Sequence, residues 1–230
     1  TAGRLLSTRN AQDSERSRRL FAECISIAQE LGNHGDEIEA RLGLGTVALG
    51  WGELDEAQAA YEESLRIASV HGNRRGMARS YNNMGVVTTY KGDPRSAVSH
   101  LEQALQLYNE IGDADRIAVA LDNLARAWMN LHDYERALKY ASESFRINEE
   151  LGNNWSLAYN LILMGELACT LHDYPRAARL LAAAEATYDG LEEQLEHNVR
   201  LAYGECRQAA LDALGKEAFA EAWAEGARLT

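Results

Sequence analysis

Two histidines, each followed directly by an aspartate, come closest in this sequence to a catalytic or metal-binding pattern. His132 and His172 lie one repeat period apart. An imidazole beside a carboxylate can transfer protons or bind zinc. Glycine, however, occupies the equivalent position in two other segments, as Gly52 and Gly92. A turn therefore explains these histidines better than a shared chemical role.

Other signatures of chemistry are missing from the chain. The three cysteines, Cys24, Cys169 and Cys206, are far apart and odd in number, which favours reduced, buried thiols over disulfides or a zinc cluster. No His-Glu-x-x-His, Cys-x-x-Cys, Gly-x-Ser-x-Gly or phosphate-loop sequence occurs. We therefore predict no catalytic residues, no metal site, no cofactor and no enzymatic activity.

The charge balance bears on which partners the chain can bind. With 23 basic and 35 acidic residues, the formal net charge is -12. Such a surface repels a phosphate backbone on average, which argues against binding DNA or RNA, but it permits attraction to basic peptides. No apolar run approaches the length of a membrane span, and the first residues lack the apolar middle of a signal peptide. We expect a cytoplasmic protein without membrane contact.

The helices that would position any binding residues are marked by a sequence repeat. The repeat is 40 residues long, which is the distance from Gly32 to Gly72. One series marks joints with Gly-Asn or Gly-Asp, beginning at Gly32, Gly72, Gly112 and Gly152. A second consists of Ala57, Ala97, Ala137 and Ala177, and a third of the small residues Gly45, Gly85, Ala125 and Gly165. Series that share one period indicate a stack of structural repeats.

Each period is predicted to hold two helices. Apolar residues recur at steps of three and four, as in Ala137, Ala141 and Phe145, which is the pattern of an amphipathic helix. The acidic residue at each turn is suited to an N-cap, and glycine at the joints is suited to end a helix. Because Gly85 and Ala97 are short, we expect the two helices of a hairpin to approach closely there.

These marks divide the chain into one solenoid of successive repeats. We predict a partial first repeat over 1–31, full repeats over 32–71, 72–111, 112–151 and 152–191, and an atypical capping repeat over 192–230. Asp13 falls in register with the acidic turn residues, which predicts a turn there between two helices. A later turn is expected at Leu214-Gly215.

The repeat pattern resembles the tetratricopeptide repeat in a long variant, like that of kinesin light chains. The second repeat carries the pattern at Tyr81, Met84, Gly85, Thr88, Ala97, Leu101 and Ala104. The resemblance implies an all-α fold, a right-handed superhelix of stacked helical hairpins. The closing segment, with Phe219, Trp223 and Gly226, looks like the end of the repeat region in bacterial LuxR-type signalling ATPases. That likeness implies a sensor or partner-docking region of a larger regulator.

The resemblance also implies that the first helix of each hairpin lines a concave groove. Asn83 and Asn123 share one repeat position, and in similar repeats an asparagine there hydrogen-bonds the backbone of a bound peptide. An equal alternative is that the two asparagines do no more than hydrogen-bond the ends of neighbouring helices. Gly43 and Leu163 occupy the same position in the other repeats, so the row of asparagines along the groove is incomplete. The other candidate groove residues are Arg79, Asn82, Asp122, Arg126, Tyr159 and Glu166, with Tyr90 at the edge. Trp128 is assigned to the core.

The function predicted from these features is to bind a protein or peptide in the concave groove. Two alternatives stay open: a small effector held in an apolar and polar pocket, and self-association through exposed terminal repeats.

Overall fold

A computed structural model describes residues 2–188, 190–191, 195 and 197–229, with side chains from Glu15 onward apart from those of residues 197 and 198. Over these residues it contains ten helices and no strands. They are α1 Ala2–Glu30, α2 His34–Gly50, α3 Leu54–Val70, α4 Arg74–Tyr90, α5 Pro94–Ile111, α6 Ala114–Asn130, α7 Tyr134–Leu151, α8 Asn154–Thr170, α9 Tyr174–Thr187 and α10 His197–Gly226. The predicted all-α class of stacked hairpins is confirmed.

The predicted turn residues end and begin these helices. Asp93, Asp133 and Asp173 each accept a hydrogen bond from a backbone N–H in the first turn of the helix that follows. His132 and His172 adopt left-handed φ angles of 59° and 61°, the conformation that ends a helix. The structure therefore confirms that both histidines are turn residues.

The chain divides into two compact units, Thr1–Asp113 and Ala114–Thr230. In unit 1, α1 packs against α2, and the hairpins α2–α3 and α4–α5 follow. In unit 2, the hairpins α6–α7 and α8–α9 are followed by α10. We call α2, α4, α6 and α8 the first helices of their hairpins, and α3, α5, α7 and α9 the second helices.

Short side chains permit the close approach within a hairpin, as predicted. A Cβ atom added to Gly85 on α4 would lie 2.5 Å from Cγ of Leu101 and 3.3 Å from the carbonyl oxygen of Ala97, both on α5. The same arrangement recurs in unit 2, where a Cβ on Gly165 would lie 2.9 Å from a methyl group of Leu181. The large residue of the second helix thus fills the space that the glycine leaves.

The turn expected at Asp13 does not form. Helix α1 runs without a break from Ala2 to Glu30. The other turns of this series place a residue with positive φ directly before the acid, either glycine or one of the two histidines. Here that position is Gln12, which has no side chain suited to a left-handed turn, so the helix continues.

The last helix breaks at the predicted turn. Within α10, Gly215 has φ 75° and ψ 166°, a conformation open essentially only to glycine. The segment after this break packs Phe219 and Trp223 against Ala178 and Ala210. None of the described helices is long and apolar enough to cross a lipid bilayer.

Candidate functional site

The candidate residues of unit 2 lie together on the first helices α6 and α8. Nη1 of Arg126 donates a hydrogen bond of 3.3 Å to Oε2 of Glu166. The guanidinium of Arg126 also lies 5.9 Å from the ring centroid of Tyr159. We define the α6–α8 face as Asp122, Asn123, Arg126, Tyr159 and Glu166. Arg126 and Glu166 share a repeat position, so the pair connects equivalent points of two successive hairpins.

Glu166 is a buried acid that its neighbours satisfy only in part. The residue is 8% exposed, and its Oε1 atom is buried without a hydrogen-bond partner among the described residues. Burial raises the pKa of Glu166, while the charge and hydrogen bond of Arg126 lower it. A buried acceptor in this state favours a neighbour or ligand that can donate a hydrogen bond.

Asp122 belongs to a polar network inside the same unit. Nδ2 of Asn160 donates to Oδ1 of Asp122, and Nδ2 of Asn148 donates to Oδ1 of Asn160 over 2.8 Å. Ser144 donates to the carbonyl oxygen of Ala118 at 2.9 Å. Burial raises the pKa of Asp122 to about 7, while the nearby Ser144 hydroxyl, the charge of Arg126 and the hydrogen bond from Asn160 act in the opposite direction.

Asn148 and Asn160, which are 1% and 0% exposed, were not among the residues predicted from the sequence. A signal was present, because the residues one repeat earlier are Tyr108 and Ala120 and both are buried. A large polar residue at a repeat position that is buried in other hairpins indicates a buried hydrogen-bond network.

Asn123 is partly exposed on α6. The matching Leu163 on α8 is only 3% exposed and packs with Ala125 and Ala141 of the preceding hairpin. On α8 this repeat position therefore faces the preceding hairpin. In the hairpin of α8 it serves packing, which explains why leucine replaces asparagine there.

In unit 1 the candidates lie on α2 and α4. Arg79 forms an ion pair with Glu39, again across one repeat period, and Asn82 donates to Oδ1 of Asn83 over 3.3 Å. We define the α2–α4 face as Glu39, Arg79, Asn82 and Asn83. Asn82 is buried at 8% exposure and Asn83 is partly exposed. Tyr90 ends α4 with 49% exposure.

Trp128 is partly buried, and its ring lies 4.3 Å from the guanidinium of Arg136. Its indole N–H is buried and donates no hydrogen bond within the described part of the chain. The stacking between α6 and α7 fits the predicted packing role better than an open binding platform.

A surface depression in unit 1 is relevant to the small-effector alternative. Its volume is about 520 Å³, and its lining includes Glu53, Asp55, Glu56 and Lys91. Nζ of Lys91 lies 2.6 Å from a carboxylate oxygen of Asp55, and Arg18 pairs with both Glu53 and Glu56. The charges of the lining are thus largely paired. Within the described residues, no group of three or more His, Cys, Asp and Glu could hold a metal ion.

Comparison with solved structures finds similar folds at low sequence identity. BtubC (BKLC) from P. vanneervenii is 20% identical, with 94% of this chain and 89% of that chain covered and a TM-score of 0.68. A Rap protein complexed with competence and sporulation factor is 15% identical, with 92% and 71% covered and a TM-score of 0.62. A putative kinesin light chain of Podosopora anserina is 17% identical, with 83% and 93% covered and a TM-score of 0.60.

Family models give the more specific result. No curated protein matches the chain closely enough to count as a relative. One model described as tetratricopeptide repeat matches residues 6–69, 52–110 and 76–128, and a second of the same description matches 117–151. Together they span more than half of the 230 residues. With its 40-residue hairpins and glycine close approaches, this chain belongs to the tetratricopeptide repeat family.

Proposed function

We propose that this chain binds a protein or peptide on the exposed surface of its first helices and has no catalytic role. The observation that carries the proposal is the α6–α8 face, where amide, guanidinium, phenol and carboxylate groups are gathered on two adjacent helices. Such a face offers both donors and acceptors to a peptide backbone. The fold supports it, since a Rap protein with a similar fold was solved in complex with competence and sporulation factor.

The residues of the two faces have different roles in this binding. Asn83 and Asn123 each carry a donor and an acceptor, so each can bond a peptide N–H and C=O together. Arg126, Glu166 and Asp122 set the charge that the partner must match. With both acids ionised, these three groups carry one net negative charge, which favours a cationic side chain on the partner.

Asn83→Ala/Asn123→Ala in the full chain tests the asparagine roles. Peptides are first selected from a random display library on the unaltered protein, and their affinities are measured by calorimetry. Each asparagine would lose two hydrogen bonds to the peptide, four in all at roughly 0.5–1.5 kcal/mol each, so the double variant should weaken binding by about tenfold or more. Both residues are partly exposed, so the thermal melt should change little.

The matched control is Asn109→Ala/Gln208→Ala, which removes one exposed amide side chain from each unit, on α5 and on α10, away from the two faces. This control should leave affinity unchanged. Equal affinities for both double variants and the parent would remove the asparagines from the proposal. Failure to select any binding peptide would count against the function itself.

We propose further that the chain acts as the sensor or partner-docking region of a larger cytoplasmic signalling or transcription regulator. The support is the spacing of Phe219, Trp223 and Gly226 in the closing segment, which looks like that of LuxR-type signalling ATPases. The sequence that adjoins this segment in its gene tests the proposal. A phosphate-binding loop in the same gene product would support it, and a product without ATPase or DNA-binding sequences would contradict it.

A further inference from the structure

Two of the three cysteines meet where α10 packs against α8. Cys169 lies in the last turn of α8, and Cys206 lies in α10 before the break at Gly215, 37 residues later in the sequence. The thiol of Cys169 donates a hydrogen bond to the carbonyl oxygen of Cys206 over 3.8 Å. The thiol of Cys206 donates to the carbonyl oxygen of Gly165, one turn before Cys169, over 3.5 Å. Each side chain thus reaches the backbone beside the other cysteine.

The two thiol groups also interact directly with each other. Burial raises the pKa of the Cys206 thiol, and a hydrogen bond with the Cys169 side chain, the charge of Cys169 and the charge of Glu166 raise it further. Both cysteines pack into the same hydrophobic cluster of unit 2. A disulfide requires two neighbouring cysteines whose side chains are turned toward each other. Cys169 and Cys206 meet this requirement.

The two thiols differ in their access to solvent. Cys169 is partly exposed, whereas Cys206 is only 5% exposed. A reagent in solution therefore reaches Cys169 first, and Cys206 is held beside it as a resolving thiol. An accessible cysteine next to a resolving cysteine is an arrangement common among redox-sensitive proteins.

We propose that Cys169 and Cys206 form a reversible disulfide by exchange with a low-molecular-weight disulfide, such as oxidised glutathione. The thiolate of Cys169 attacks one sulfur of the oxidant and displaces a first thiolate, which leaves a mixed disulfide on Cys169. The thiolate of Cys206 then attacks the Cys169 sulfur and displaces a second thiolate. The two cysteines lose two electrons and two protons, and the oxidant takes these up to become two free thiols.

The bond ties the end of α8 to α10 and so fastens the last helix to the hairpin before it. Helix α10 packs against α8 and α9, and the disulfide adds a covalent link to this packing. A cross-link restricts the unfolded chain more than the folded one. The oxidised protein should therefore melt several degrees above the reduced protein, and the amides of α10 should exchange more slowly.

Mass spectrometry of the intact full chain after treatment with oxidised glutathione tests the proposal. Cys24 is exposed, although all three thiols were expected to be buried, so Cys24→Ser is introduced first to prevent disulfides between chains. This variant should lose the mass of two hydrogen atoms, carry no glutathione and show no free thiol. Dithiothreitol should restore both thiols, and circular dichroism checks that the chain stays folded.

Two further variants test the order of the two steps. Cys24→Ser/Cys206→Ser should stop at the first step and keep one glutathione on Cys169. Cys24→Ser/Cys169→Ser leaves only the buried thiol, which should react at least about tenfold more slowly than Cys169 does. Equal rates for these two variants would overturn the order. Two free thiols after treatment of Cys24→Ser, or a lasting glutathione adduct on its Cys169, would overturn the disulfide itself.

Discussion

Individual residues set how closely the helices of a hairpin pack, and Gly85 is the clearest case. A methyl group at this position would lie 2.5 Å from Cγ of the fully buried Leu101, closer than van der Waals contact allows. Gly85→Ala should therefore lower the free energy of unfolding by about 1–3 kcal/mol, since overpacking outweighs the better helix propensity of alanine. Urea unfolding followed by circular dichroism measures the change.

Gly50→Ala is the matched control in the same unit, because nothing lies within 4 Å of its added Cβ and its φ is not positive. It should leave stability unchanged or raise it slightly. Equal stability of the parent and Gly85→Ala would show that Leu101 can move aside without cost.

Asp122 should make the stability of the protein depend on pH. Its pKa is raised from 3.8 to about 7 by burial, so the folded state holds the proton more tightly than the unfolded state. The contribution of Asp122 to the free energy of unfolding is complete below about pH 4 and is lost as the pH rises toward 7. At 1.36 kcal/mol per pKa unit, the loss is at most about 4 kcal/mol. The raised pKa of Glu166 acts in the same direction.

Asp122→Asn isolates this effect, because asparagine keeps the shape but cannot ionise. The stability of the variant relative to the parent should rise between pH 4 and pH 7, as measured by urea unfolding at a series of pH values. The exposed acid Glu143 on α7 offers the control Glu143→Gln, for which a flat difference is expected. If the stability difference between Asp122→Asn and the parent also stayed constant with pH, the carboxyl group of Asp122 would have to be solvated.

At the scale of the helices, the repeat period allowed the hairpins and their turns to be predicted. Helix starts follow local rules such as the Asp133 cap, which the sequence displays directly. The unbroken helix α1 was not predicted, because the acidic Asp13 resembles the other turn residues. The turn fails to form because Gln12 stands where the other turns have glycine or histidine. The exact partners of the candidate residues could not be predicted, because the pairing of Arg126 with Glu166 depends on how two hairpins stack.

The last segment of α10 makes the closest backbone approach seen at any described glycine. A Cβ on Gly226 would lie 2.1 Å from the carbonyl oxygen of Arg179 on α9, and backbone cannot move aside as a side chain can. Gly226→Ala should therefore release the segment after Gly215 from α9. Trp223, which packs against Ala178 and Ala210, should report the release by a red-shifted fluorescence emission.

Gly204→Ala provides the control on the same helix, since nothing lies within 4 Å of its added Cβ. It should leave the Trp223 emission as in the parent. The emission of the parent and of each variant is recorded with the other tryptophans replaced by phenylalanine. Amide hydrogen exchange over α9 and α10 separates a local release from global unfolding. Protection lost only in these helices fits the packing seen, whereas unchanged protection would contradict a role for Gly226.

At the scale of the whole molecule, the net charge of -12 should govern how partners approach. A basic peptide is attracted by the overall field as well as by the acids of the α6–α8 face, and salt screens this attraction with a Debye length of about 10 Å at 0.1 M. Affinity for a selected basic peptide should therefore fall several-fold between low and high salt, whereas a neutral peptide of the same length should respond little. When the measurements are made at about pH 8, above the raised pKa of Asp122, Glu166→Gln and Asp122→Asn should flatten the salt dependence, because they remove two acids from the face itself. If both variants keep the slope of the parent, the attraction arises from the distributed charge of the chain and the peptide is not bound beside these two acids.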